Sequence, residues 1–96
     1  MHMAEDLSAR DIERIAKALA DPHRLRILQA LREQQSIICG ELEDLLALSQ
    51  PTVSHHVKIL AQSGVIITQK DGRTLKLTLN IVTLRAFSAQ LNHWTF

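Results

Sequence analysis

The chain has 96 residues, 46% hydrophobic and 22% charged, which fits one small globular domain and excludes a disordered tail. Aromatic residues make up 3% and cysteine occurs once, which excludes a base-stacking surface for single strands, an internal disulfide and a Cys-x-x-Cys metal clip. The net charge of +1 conceals a split: residues 1–48 carry nine acids against six bases, net −3, while residues 49–96 carry five bases against Asp71 alone, net +4. That asymmetry suits an anionic partner for the second half.

Met1-His2-Met3 reads as a cloning remnant, and residues 1–8 as a flexible N-terminus ahead of a single domain over residues 9–96. No apolar run reaches 18 residues and no charged-then-apolar leader opens the chain, so the expectation is a cytoplasmic protein with no membrane partner. Ser8 and Asp11 have capping-box spacing, and Ile12, Ile15, Ala16 and Leu19 follow at helical intervals. They predict a first helix ending near Ala20. Asp21-Pro22 is a helix start, with an N-cap acceptor followed by proline where its missing N–H costs nothing. The second helix runs to about Glu33, with Leu25, Leu28 and Leu31 as its stripe and Ile27 widening it.

Ile37-Ile38 reads as extended and buried, too short to assign further. A third helix starts near Gly40, its apolar face Leu42, Leu45, Leu46 and Leu48, with Glu41, Glu43 and Asp44 at its positive end. Ala47-Leu48-Ser49 is the turn. Ser49 caps a fourth helix with Pro51 in its first turn, Val53, Val57, Leu60 and Ala61 inward, and Gly64 as its stop. The period then changes from 3.6 to 2 over Val65–Gln69 and Thr74–Leu79, with Asp71-Gly72 as a hairpin turn. Asn80 caps a last helix over about residues 81–94, with Ile81, Leu84, Phe87, Leu91 and Trp94 along one side. The class is mainly α with a small β-hairpin (α+β), in the order of four helices, two strands and a helix. Two helices joined by a tight turn and followed by a hairpin make a winged helix-turn-helix.

The fourth helix turns Gln50, Thr52, Ser54, His55 and Lys58 outward, with Pro51 in its first turn among the candidate DNA contacts. These are short hydrogen-bonding groups with one cation, and no acid intervenes between Asp44 and Asp71. A helix that enters the major groove of double-stranded DNA needs such a face: a positive end toward phosphate, small polar groups toward base edges, and no carboxylate. The hairpin adds Lys70, Arg73 and Lys76 for phosphate attraction. A plain solvated helix face and a plain charged turn are the alternatives. His55 and His56 are adjacent, so they point about 100° apart and do not chelate one metal together. His56 borders the buried stripe and reads as a structural histidine bonded to backbone. No nucleophile elbow, phosphate-cradling glycine loop or H-E-x-x-H pattern occurs, so no enzyme and no cofactor are expected.

Ala18-Leu-Ala-Asp-Pro-His-Arg-Leu-Arg-Ile-Leu28, then Ser49-Gln-Pro-Thr-Val-Ser-His-His-Val-Lys-Ile-Leu60, then Ser63-Gly-Val-Ile66 and Asp71-Gly-Arg73 resemble the ArsR/SmtB family over about residues 9–94. The resemblance implies a bacterial homodimeric repressor whose fourth helix reads an inverted-repeat operator and which an inducer releases. It departs at His55, where many members carry Arg. It implies dimerisation through the first and last helices, here Ile12, Ile15 and Leu19 with Leu84, Phe87, Leu91 and Trp94. The family's Cys-x-Cys metal pair is missing, because lone Cys39 falls between the two positions. Its last-helix site maps onto Asn80, Val82, His93 and Phe96, of which only His93 is a ligand. A non-standard metal site using His23, His93, His2 or an acid remains an alternative, as does a protein-interaction module on the same fold. Cys39 is either a redox switch through sulfenylation or an inter-subunit disulfide, or a small buried hydrophobe.

Overall fold

The computed structural model describes residues 6–95. The readings of Met1-His2-Met3, and of His2 and Phe96 as candidate metal positions, lie outside the described residues. Helix α1 spans Ala9–Leu19 and begins with a complete capping box. The Asp11 amide donates to Ser8 Oγ at 3.1 Å, and the Ser8 amide donates to Asp11 Oδ2 at 2.9 Å. Helix α2 spans Pro22–Gln34, and Asp21 Oδ1 accepts from the amides of His23 (2.8 Å) and Arg24 (3.1 Å). Its buried stripe is Ile27, Ala30 and Leu31. Leu25 is 44% exposed, so the stripe is rotated from the one the leucine spacing predicted. Leucines three apart drift round a 3.6-residue helix and do not hold one face.

Strand β1, Ser36–Ile38, follows a tight turn, then a single 3-10 turn over Cys39–Glu41 and helix α3, Leu42–Leu46. Ile37 is buried and Ile38 is not, as alternation along a strand requires. Ala47, at φ 53, reverses the chain into helix α4, Gln50–Ser63, which stops at Gly64 with φ 87. Strands β2, Ile66–Asp71, and β3, Thr74–Leu79, then lead to helix α5, Ile81–Trp94. Asn80 caps α5 by accepting from the Thr83 amide at 3.2 Å.

The wing is a three-stranded antiparallel sheet in the order β1-β3-β2 rather than a bare hairpin. Ile37 stands opposite Leu77, and Thr68 stands opposite Leu77 from the other side. The turn residues are Gly72 and Arg73, one step later than Asp71-Gly72. Only Gly72 is left-handed (φ 62), the pattern of a II′ hairpin. The core joins Ile15 and Ala18 of α1, Ile27 and Leu31 of α2, Leu42 of α3, Val53, Val57 and Leu60 of α4, then Val65, Ile66 and Leu77. Ile15 is 0% exposed, which corrects its assignment to a dimer face: it has no surface left to give a second copy.

Candidate nucleic-acid interface

Helix α4 is pinned by its buried side, where Val53, Val57 and Leu60 meet the core and His56 is 7% exposed. That fixes what faces out. Gln50, Pro51, Thr52, Ser54, His55 and Lys58 are all exposed, and no acid stands among them. Ser49 occupies the N-cap position, but its hydroxyl is within 3.0 Å of Thr52 Oγ1 and does not cap an amide. Gln50 Nε2 donates to Ser54 Oγ at 3.3 Å, so two of the predicted contacts form one polar edge. The positive end of α4 is therefore presented with small hydroxyls and amides around it, the arrangement that suits phosphate and base edges.

The wing lies beside this end. A groove of about 390 Å³ runs between them, with Gln50 and Ser54 on one wall and Arg73 and Thr74 on the other. Lys70 stands opposite Leu75 and shares the sheet face that turns toward the helices. Lys76 stands opposite Gln69 and Ile38 on the other face; neither it nor Lys70 lines the groove, although Ile38 and Thr74 of its own face do. Sequence reasoning grouped Lys70, Arg73 and Lys76 together; the pleat divides them. Cys39 and Glu43 also line the groove. Burial raises the Cys39 thiol above its ordinary pKa, and the Glu43 carboxylate adds to the rise.

Behind α4 lies a polar cluster that the sequence did not reveal. Arg24 donates from Nε to the Ala18 carbonyl (2.6 Å), from one terminal nitrogen to the Lys17 carbonyl (3.2 Å), and from the other to His56 Nδ1 (3.2 Å). A guanidinium only donates, so Nδ1 is the acceptor and His56 is neutral with its proton on Nε2. Its partner is thus an arginine side chain and not the backbone that was expected. Burial pushes the His56 pKa down. Asp21, whose Oδ1 is 4.0 Å away, pulls it up, and Arg24, His23 and His55 push it down further. Desolvation alone would raise Asp21. The amide bonds from Arg24 and His23, with the charge of Arg24 and that of His56 whenever it is protonated, hold it below the usual carboxylate value instead. The signal for Arg24 was its place: a cation in the first turn of a helix opposes the dipole and needs a tertiary reason.

Among the described residues, no three His, Cys, Asp or Glu side chains gather to hold a metal ion, and no helix is long and apolar enough to cross a membrane.

A family model described as a helix-turn-helix domain matches residues 19–69. The chain is 36% identical over 86 residues to the arsenical resistance operon repressor of Staphylococcus aureus, covering 90% of this chain and 82% of that protein. It is 44% identical over 59 residues to the repressor SmtB of Mycobacterium tuberculosis, covering 62% of this chain and 43% of that protein. A crystal structure of an ArsR family transcriptional regulator superposes with a TM-score of 0.83 at 27% identity, covering 93% of this chain and 91% of that one. The chain belongs to the ArsR/SmtB family. Transcriptional regulation of the ArsR/SmtB type, through DNA and not through enzyme chemistry, follows from that membership. The activator HlyU of Vibrio cholerae shares the ArsR/SmtB architecture with this chain, at TM-score 0.69, 30% identity and 92% and 94% coverage.

Proposed function

We propose that this ArsR/SmtB protein acts in the cytoplasm as a homodimer on an inverted-repeat operator, as one domain from Ala9 onward, and that an effector releases it. The observation that carries this reading is the groove that sets Arg73 beside Gln50 and Ser54. Helix α4 enters the major groove, with Gln50, Pro51, Thr52, Ser54 and His55 toward the bases. Lys58, Lys70 and Arg73 meet phosphate beside it, and Lys76 adds charge from the outer sheet face. The dimer face is the apolar side of α5, where Leu91 is 42% exposed and Trp94 61%. Half-buried Leu84, Phe87, Ile12 and Leu19 continue it. A 14-residue helix whose outer half meets only water is marginal in isolation, and a second copy supplies the missing contact.

Selection of bound duplexes from a random DNA pool tests it, with and without EDTA. An inverted repeat with half-sites about one helical turn apart is the expected outcome. No enrichment over the starting pool overturns the DNA reading, and a protein partner for the same helix face then takes its place.

A further inference from the structure

We infer that the cavity between α1, α2 and α4 is an effector site for a small organic anion, a carboxylate on an apolar body, and that Arg24 relays its occupancy to the DNA-reading helix. The relay rests on the proposed function; the binding does not.

The cavity has a volume of about 590 Å³, within the range of small-molecule sites. Arg14 and Lys17 from α1 and Arg24 from α2 line it, and no carboxylate does. Among the described residues, no carboxylate lies within ion-pair distance of the guanidinium of Arg14 or Arg24. Lys17 has Glu13 at 3.8 Å, but both side chains are largely exposed, so that pair is screened and yields readily to a better anion. Ala18 and Ile59 supply an apolar wall, and Gln62 and Ser63 a polar rim. A lone inorganic anion leaves most of that volume and the apolar wall unused. A carboxylate on a ring or short chain uses both, because planar guanidinium groups match a carboxylate in a fork.

Arg24 gives the site a consequence. It forms a wall of the cavity and, through one terminal nitrogen, holds His56 of α4. An anion that draws this guanidinium toward itself competes with His56 for the same donor. Helix α4 then loses a polar anchor on the side opposite its DNA face. Arg14 and Lys17 lie about half a turn round α1 from Ile12 and Leu19, so occupancy leaves the proposed dimer face clear.

The test uses the whole chain labelled with nitrogen-15, titrated with benzoate, 2-naphthoate and octanoate, and with benzamide as the uncharged control. Saturable amide shifts clustered at Arg14, Lys17, Ile59, Gln62 and Ser63 are expected for at least one carboxylate and not for benzamide. The Arg14→Gln, Lys17→Gln double variant, with both changes on an exposed helix face, is expected to weaken that binding at least tenfold while its spectrum stays folded. No saturable shift with any of the three, shifts centred elsewhere, or equal binding of benzamide overturns the site. On the selected operator, saturating carboxylate is expected to change affinity several-fold in the native chain and not in the double variant. An unchanged operator affinity with intact carboxylate binding overturns the relay. Carboxylate binding in a chain that selects no DNA leaves the site standing and removes the operator reading instead.

Discussion

His56 and Arg24 show how single side chains set a pH dependence. The His56 pKa is depressed in the folded chain, chiefly by burial, while the unfolded chain titrates near the ordinary value of about 6.5. Between those two values the unfolded chain holds more protons. Stability is therefore full above about pH 6.5 and declines as pH falls through the window below it. Asp21, held below the usual carboxylate value, contributes stability that persists above the ordinary carboxylate pKa and is lost in stronger acid. Urea melts at pH 7.5 and 5.5 are expected to show the loss, with a smaller loss in His56→Gln; a melt midpoint that does not move with pH contradicts the assignment. Arg24→Ala strips the donor from two carbonyls and from His56, and about 1–3 kcal/mol of destabilisation is expected in the same melts. Cys39 carries a raised thiol pKa, so alkylation by iodoacetamide at pH 7.5 is expected to be slower than that of a free cysteine peptide. A faster rate would revive the redox reading.

At the scale of elements, the turn before α4 is the place where backbone and residue type disagree. Ala47 sits at φ 53 and ψ 44, where a side chain is strained and glycine is not. Ala47→Gly is expected to stabilise by about 1 kcal/mol, or about 4–8 °C in Tm, by calorimetry. In the wing, Arg73→Ala is expected to weaken operator binding more than Lys76→Ala, because Arg73 lines the groove beside Gln50 and Ser54 and Lys76 does not; equal losses in a salt-series titration would count against the groove. Four of the five α-helices were legible in the sequence, since caps at Ser8, Asp21 and Asn80 and the stop at Gly64 are local signals. The third was read as starting near Gly40 and reaching Leu48, but residues 39–41 form a 3-10 turn and α3 is only Leu42–Leu46. Strand β1 was not legible. Three residues carry no period, and only Ile37 opposite Leu77, some 40 positions on, makes them a strand. The outward face of α4 was legible because its buried residues fix it. The Arg24–His56 contact was not, because it joins two helices across 32 positions and leaves no periodic trace.

The whole molecule is elongated, 41 × 26 × 23 Å, with α5 carrying the largest exposed apolar side chain, Trp94. It is the only tryptophan, so its fluorescence reports the α5 face directly. Dilution is expected to red-shift the emission as a dimer separates, and Leu91→Lys is expected to give the red-shifted spectrum at all concentrations and a monomer mass by light scattering. A concentration-independent spectrum and mass would place the interface elsewhere.

The β1–β3 ladder has a further consequence. By pairing Ser36–Ile38 with Lys76–Thr78, it clips together the two ends of the stretch that holds α3, α4 and the wing turn. The reading head is thus a cassette, closed at its neck by main-chain hydrogen bonds that do not depend on which side chains it displays. On the proposed DNA reading, grafting residues 39–75 between relatives as one piece is expected to carry operator preference with it, provided that the buried side of α4, Val53, His56, Val57 and Leu60, still matches α1 and α2.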